Sequence, residues 1–174
     1  MKLYHRRTRK ENIHLFWQSI LVFLVILAFM YALKKVSIAD AIVSAIGATS
    51  LGSSAFLAFV AHDTAMARPR RMISGYALGI VVGVFFSLMF RHVTSCDNFD
   101  CHSIDSEVLF AAGAAIVTMW LMAFFSSEHP PAIGIAIGLV LWSWKWPVLV
   151  VIMGAVLVIA LLRQLLRPWL INLL

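Results

Sequence analysis

Charge is scarce in this chain: only 13% of its 174 residues are Asp, Glu, Lys or Arg, against 62% hydrophobic. With a mean hydropathy of +0.93, a soluble domain this small has too little interior for its apolar side chains. The excess must face lipid, which excludes an ordinary soluble fold. Catalytic signatures are missing as well. There is no nucleophile elbow, no P-loop and no HExxH pair. No large polar domain is present to hold a cofactor, so none is expected and an enzyme is the weaker class. The formal charge of +6 reflects basic cytoplasmic loops in a membrane protein and does not point to a nucleic-acid partner.

What the chain does have is a series of apolar runs. Residues 1–14 form a basic tail suited to anionic headgroups, and residues 15–174 form one membrane domain. The runs are Leu15 to Leu33, Ala41 to Ala61, Met72 to Phe90, Val108 to Phe125, Ala132 to Trp144 and Pro147 to Leu162. The first is too long for a signal-peptide core and is followed by lysines, so it reads as a retained helix. The second carries Gly, Ser and Thr at its centre, which predicts a weak or broken helix. The fifth has 13 residues, roughly two-thirds of a ~30 Å hydrocarbon core. The fold class expected is an all-α polytopic bundle of about six spans, two of them irregular or short.

Charge orients these spans. With the N-terminus cytoplasmic, the loop bearing Arg68, Arg70 and Arg71 is also inside, and the acidic loop 91–107 is outside. The loop at 126–131 returns inside, and Arg163 and Arg167 follow if the fifth span crosses. A bacterial inner membrane is the expected location. Six spans divide into three and three, with irregular middle elements at Gly47–Gly52 and His129–Gly138, a pattern that fits an inverted repeat. Gly75, Gly79 and Gly83 recur every four residues, as do Gly134 with Gly138 and Ala111 with Ala115. Such stripes let helices approach closely in lipid, and they suit association between copies of the chain.

Four stretches are chemical candidates. The first is SSEHPPAIG, residues 126–134. Proline suits the first helical turn. Pro130 and Pro131 therefore start the fifth helix, whose N–H groups, from Ala132 onward, suit an anion with His129 beside them. An ordinary loop in which the prolines only stop one helix and begin the next is at least as economical. Glu128 disfavours an anion and suits either uptake of a proton or pairing with an arginine. The second is HDTAMARPRRM, residues 62–72. Arg68, Arg70 and Arg71 read either as a topology signal or as a funnel that concentrates oxyanions; His62 and Asp63 suit each other as partners. The third is GATSLGSS, residues 47–54. Gly47, Thr49 and Ser50 either line a polar cavity from unwound backbone or form a packing face with hydroxyls bonded to their own helix. The fourth holds Cys96 and Cys101 near His92, Asp97, Asp100 and His102. A short disulfide fits an outer loop, whereas metal binding lacks a recognised ligand spacing and none is expected.

Three of these elements together resemble the HPP family of integral membrane proteins. The family's HPPA motif stands at residues 129–132, its Gly-Ala-(Ser/Thr) element at Gly47-Ala48-Thr49, and its Pro-Arg element at Pro69-Arg70, followed by Gly75. Order and spacing agree over roughly residues 41–140. The family's Gln-Pro-Arg-Asn is Arg68-Pro69-Arg70-Arg71 here, and the Gly-Ala-Thr usual after HPPA is Ile133-Gly134-Ile135. A hydroxyl expected near the site is therefore missing. The resemblance implies passage of a small inorganic anion, with nitrite the candidate taken from members linked to nitrite uptake. The residues expected to bind it are His129, Pro130, Pro131, Ala132, Gly47, Thr49, Ser50 and Arg70. The alternative is a non-transporting membrane protein whose motif only packs helices.

Overall fold

In the computed structural model, residues 9–36, 41–94, 104–142 and 144–170 are described. They form six helices and no strands: α1 (Arg9–Val36), α2 (Ala41–Phe59), α3 (Pro69–Thr94), α4 (Ile104–Phe124), α5 (Pro131–Leu141) and α6 (Trp146–Leu166). Single 3-10 turns follow at Ala65–Ala67 and Arg167–Trp169. The helices coincide with the apolar runs because, in lipid, a lone segment must satisfy its backbone within itself. By length and hydropathy α3, α4 and α6 each suffice to cross a membrane. Cys96, Cys101, Asp97, Asp100 and His102 lie outside the described residues, and the disulfide expectation with them; His92 is exposed near the end of α3.

α5 is the hub. It packs against α3, α4 and α2, while α1 closes on α2 and α6. The glycine stripe of α3 makes this possible. A Cβ placed on Gly79 would lie 2.5 Å from the Ala132 carbonyl oxygen, and one on Gly83 would lie 2.9 Å from the Ala136 Cα. On the other side of α5, a Cβ on Gly134 would meet Ser50 Oγ at 2.8 Å and one on Gly138 would meet Ile46 at the same distance. These glycines let backbones touch. Further along, the Trp144 Nε1–H donates to Ser87 Oγ at 3.1 Å. Gly79 with Ala132, Gly83 with Ala136 and Ser87 with Trp144 thus set one register, in which α5 runs in the same direction as α3.

That register places α5 in depth. It is 11 residues long, about 16 Å at ~1.5 Å per residue. Its start lies level with Gly79, which is ten residues into α3, or about 15 Å of helix rise. The helix is shorter than its apolar run because Trp142 turns to extended backbone, with φ −133° and ψ 152°. The chain therefore enters the bundle as a non-helical connection before α5 begins.

α2 departs from expectation. It is one unbroken helix of 19 residues. Two of its hydroxyls bond their own backbone, Thr49 Oγ1 donating to the Ile46 carbonyl at 3.0 Å and Ser53 Oγ to the Thr49 carbonyl at 2.9 Å, while Ser54 Oγ lies 3.0 Å from the Ser50 carbonyl. Ser50 and Ile46 pack closely on the glycines of α5, Gly52 faces Ile26 of α1, and no backbone is unwound. The irregular-element argument for an inverted repeat therefore holds only in the second half.

Candidate functional site

α4 ends at Phe124, and Ser126 adopts φ 50°, the left-handed conformation that commonly closes a helix. The Ser127 N–H then donates back to the Met122 carbonyl at 2.8 Å. This turn leads the chain through Glu128 to His129, whose side chain lies between α2 and α3, while Pro130 stays exposed. Pro130 is helical at φ −51° and ψ −37°, and Pro131 is the first residue of α5. Fixed proline φ values suit both positions.

His129 is fully buried, at 0% exposure. Its Nδ1 lies 3.0 Å from the Met66 carbonyl oxygen, and its Nε2 lies 2.8 Å from Ser54 Oγ. Ser54 Oγ is also 2.8 Å from the Tyr76 hydroxyl. The rings of Tyr76 and His129 stand 5.5 Å apart. A carbonyl only accepts, so Nδ1 carries a hydrogen. In the neutral ring Nε2 then accepts from Ser54, and Ser54 accepts from Tyr76. The result is a directed row, Tyr76 to Ser54 to His129 to Met66, joining α3, α2, the HPP connection and the 3-10 turn after α2.

The anion-binding helix tip expected from the sequence is not free. The Ala132 N–H donates to the His129 carbonyl and the Ile133 N–H to the Pro130 carbonyl, each at 3.0 Å. Prolines have no N–H to offer. The first donors of α5 are thus spent on their own turn, and the imidazole is occupied at both nitrogens. Gly47, Thr49 and Ser50 also fail to form a polar half-cavity. Gly47 borders a cavity of about 20 Å³ whose other walls include Ile135, Leu139 and Val148, all apolar. Thr49 is exposed and Ser50 is buried beneath Gly134. Ala132 is buried against Gly79.

The arginine loop divides in two. Arg71 forms an ion pair with Glu128, which ties the base of α3 to the HPP connection. Glu128 and His129 therefore serve different partners. Arg68 and Arg70 are exposed on the other side of the loop. There, with His62, Asp63, Arg163 and Arg167, they line a basin of about 690 Å³. The Arg163 Nη2–H donates to the His62 carbonyl at 2.7 Å, and His62 Nε2 lies 3.2 Å from Asp63 Oδ1. Sequence reasoning placed Arg163 and Arg167 on the same side as the loop but not in the same site. Their spacing of four on one helix face was the available signal. Of the buried partners of His129, Ser54 closes the candidate stretch GATSLGSS but was not singled out within it, and Tyr76 was missed altogether.

Among the described residues no group of three or more His, Cys, Asp or Glu side chains is arranged to hold a metal. No curated protein and no solved structure matches the chain. The family model described as HPP, transmembrane region, matches residues 7–167, which takes in the HPP connection, the arginine loop and every helix packed around them, and the chain therefore belongs to the HPP transmembrane family.

Proposed function

We propose that this integral membrane protein passes a small monovalent oxyanion, nitrite being the first candidate, across the inner membrane with its N-terminus cytoplasmic. The observation that carries this reading is the row Tyr76–Ser54–His129, buried in a lipid-facing bundle at the inner tip of a half-length helix. Polar side chains inside a membrane domain cost free energy, and they persist where a polar solute or proton must pass. Arg68 and Arg70, exposed at the mouth of the basin, raise the local concentration of anions. The conformation with both imidazole nitrogens occupied is the closed one. Opening parts Ser54 from His129 and frees hydrogen-bond groups for the anion.

Flux into proteoliposomes tests this. Nitrite should enter faster than into protein-free vesicles. Ser54→Ala, which removes one shared hydroxyl, should change the rate by about threefold to tenfold. Entry at the protein-free rate would sink the proposal. In that case the second reading stands: a non-transporting membrane protein whose motif holds helices together. The satisfied donors of His129, Ala132 and Ile133 favour that reading specifically.

A further inference from the structure

The basin at the end of α6 has a floor as well as a rim. Arg163 is only 9% exposed and His62 only 8%. Among the described residues nothing bonds Arg163 Nε or His62 Nδ1, although both atoms are shut off from solvent. A buried nitrogen without a partner is costly. Here two of them underlie a cavity that Arg68, Arg70 and Arg167 also line, with Asp63 as its one carboxylate.

The size of the basin decides what it suits. At about 690 Å³ it is far larger than a three-atom anion, and four guanidinium groups exceed what one monovalent charge balances. Guanidinium forks match the oxygens of a phosphate group, which accepts several such bonds at once. The setting agrees. Arg167 begins the last 3-10 turn, whose Trp169 is 70% exposed. An exposed tryptophan beside arginines marks the level of lipid headgroups.

We propose that this basin is a binding site for a negatively charged phosphate group, presented by an anionic lipid headgroup or as free phosphate. The group sits among Arg68, Arg70 and Arg167 and draws Arg163 up from the floor. The proposal does not depend on transport, since a protein that moves no anion holds phosphate here equally well.

The test is thermal melting of the purified full-length chain in detergent, with three additions. These are dioleoyl phosphatidylglycerol, dioleoyl phosphatidylcholine, and inorganic phosphate against chloride at equal ionic strength. A saturable rise in Tm with phosphatidylglycerol and not with phosphatidylcholine identifies the lipid-borne group. A saturable rise with inorganic phosphate and not with chloride identifies the free one. In either case Arg68→Gln combined with Arg167→Gln should weaken the apparent affinity by about tenfold or more. Both side chains are exposed, so this variant folds even if Arg163→Gln does not. The site does not exist if neither addition gives a saturable rise, if chloride and phosphatidylcholine match them, or if the double variant keeps the full shift.

Discussion

At the scale of single residues, His129 shows how a motif histidine is both fixed and sensitive. Nδ1 is committed to a carbonyl, which sets the tautomer, and Nε2 meets a hydroxyl with one proton and two nearby acceptors. In the neutral state Ser54 gives that proton to His129. On protonation of the ring, Nε2–H donates to Ser54, and the serine proton turns to the Ser50 carbonyl. His129→Ala leaves the Met66 carbonyl without its donor and should destabilise the fold by about 1–3 kcal/mol, read as a lower melting temperature. An unchanged melting temperature would show that the ring does not hold the connection after α2 to the one before α5.

At the scale of elements, the contrast between glycines is sharper than their spacing suggests. Gly79 faces backbone, since an added Cβ would fall 2.5 Å from the Ala132 carbonyl oxygen. That oxygen cannot move without shifting α5. Gly154 on α6 has nothing within 4 Å of the same construction. Gly79→Ala should destabilise by about 1–3 kcal/mol through overpacking, whereas Gly154→Ala should be neutral or stabilise by up to about 1 kcal/mol through helix propensity. Thermal or denaturant unfolding of the two variants measures both, and an equal effect at the two positions would contradict the register of α3 on α5. The helices themselves were legible from hydropathy alone, because a run of apolar residues in lipid has few alternatives to helix. The state of α2 was not. Gly, Ser and Thr inside a span fit either an unwound strand of backbone or a close-packed helix. The choice rests on whether a neighbour comes near enough to use the small side chains. Gly134 and Gly138 on α5 supply that neighbour, a fact about tertiary contact that no window of α2 contains.

At the scale of the whole molecule, three segments distant in sequence meet at one end of the bundle. Met66 and His62 belong to the connection after α2, Glu128 and His129 to the connection before α5, and Arg163 to the last turn of α6. The positive-inside pattern already put these stretches on one side, and that much of the site was readable. Which arginine takes which partner was not. Arg71 and Arg70 are adjacent in sequence, yet one turns to Glu128 and the other lines the basin, a difference of helix face that charge counting ignores. The meeting of these segments also argues against an α5 that enters and leaves the bundle by one end. If α5 entered and left by the same end, α6 would finish at the opposite end, and Arg163 would never reach His62. α5 instead leaves toward Ser87 through Trp144, and α6 returns. The prediction is that Thr64 and Gln164 share one face of the membrane. With Cys96 and Cys101 first changed to serine, Thr64→Cys and Gln164→Cys should each resist an impermeant maleimide in intact cells and react after permeabilisation. Both positions flank arginines, and the expectation rests on the tendency of such residues to stay on the cytoplasmic side of a membrane. Labelling of one site from outside and the other only from inside would break the contact between Arg163 and His62, and the basin with it. Labelling of both from outside would leave the fold intact and reverse the direction in which its mouth faces.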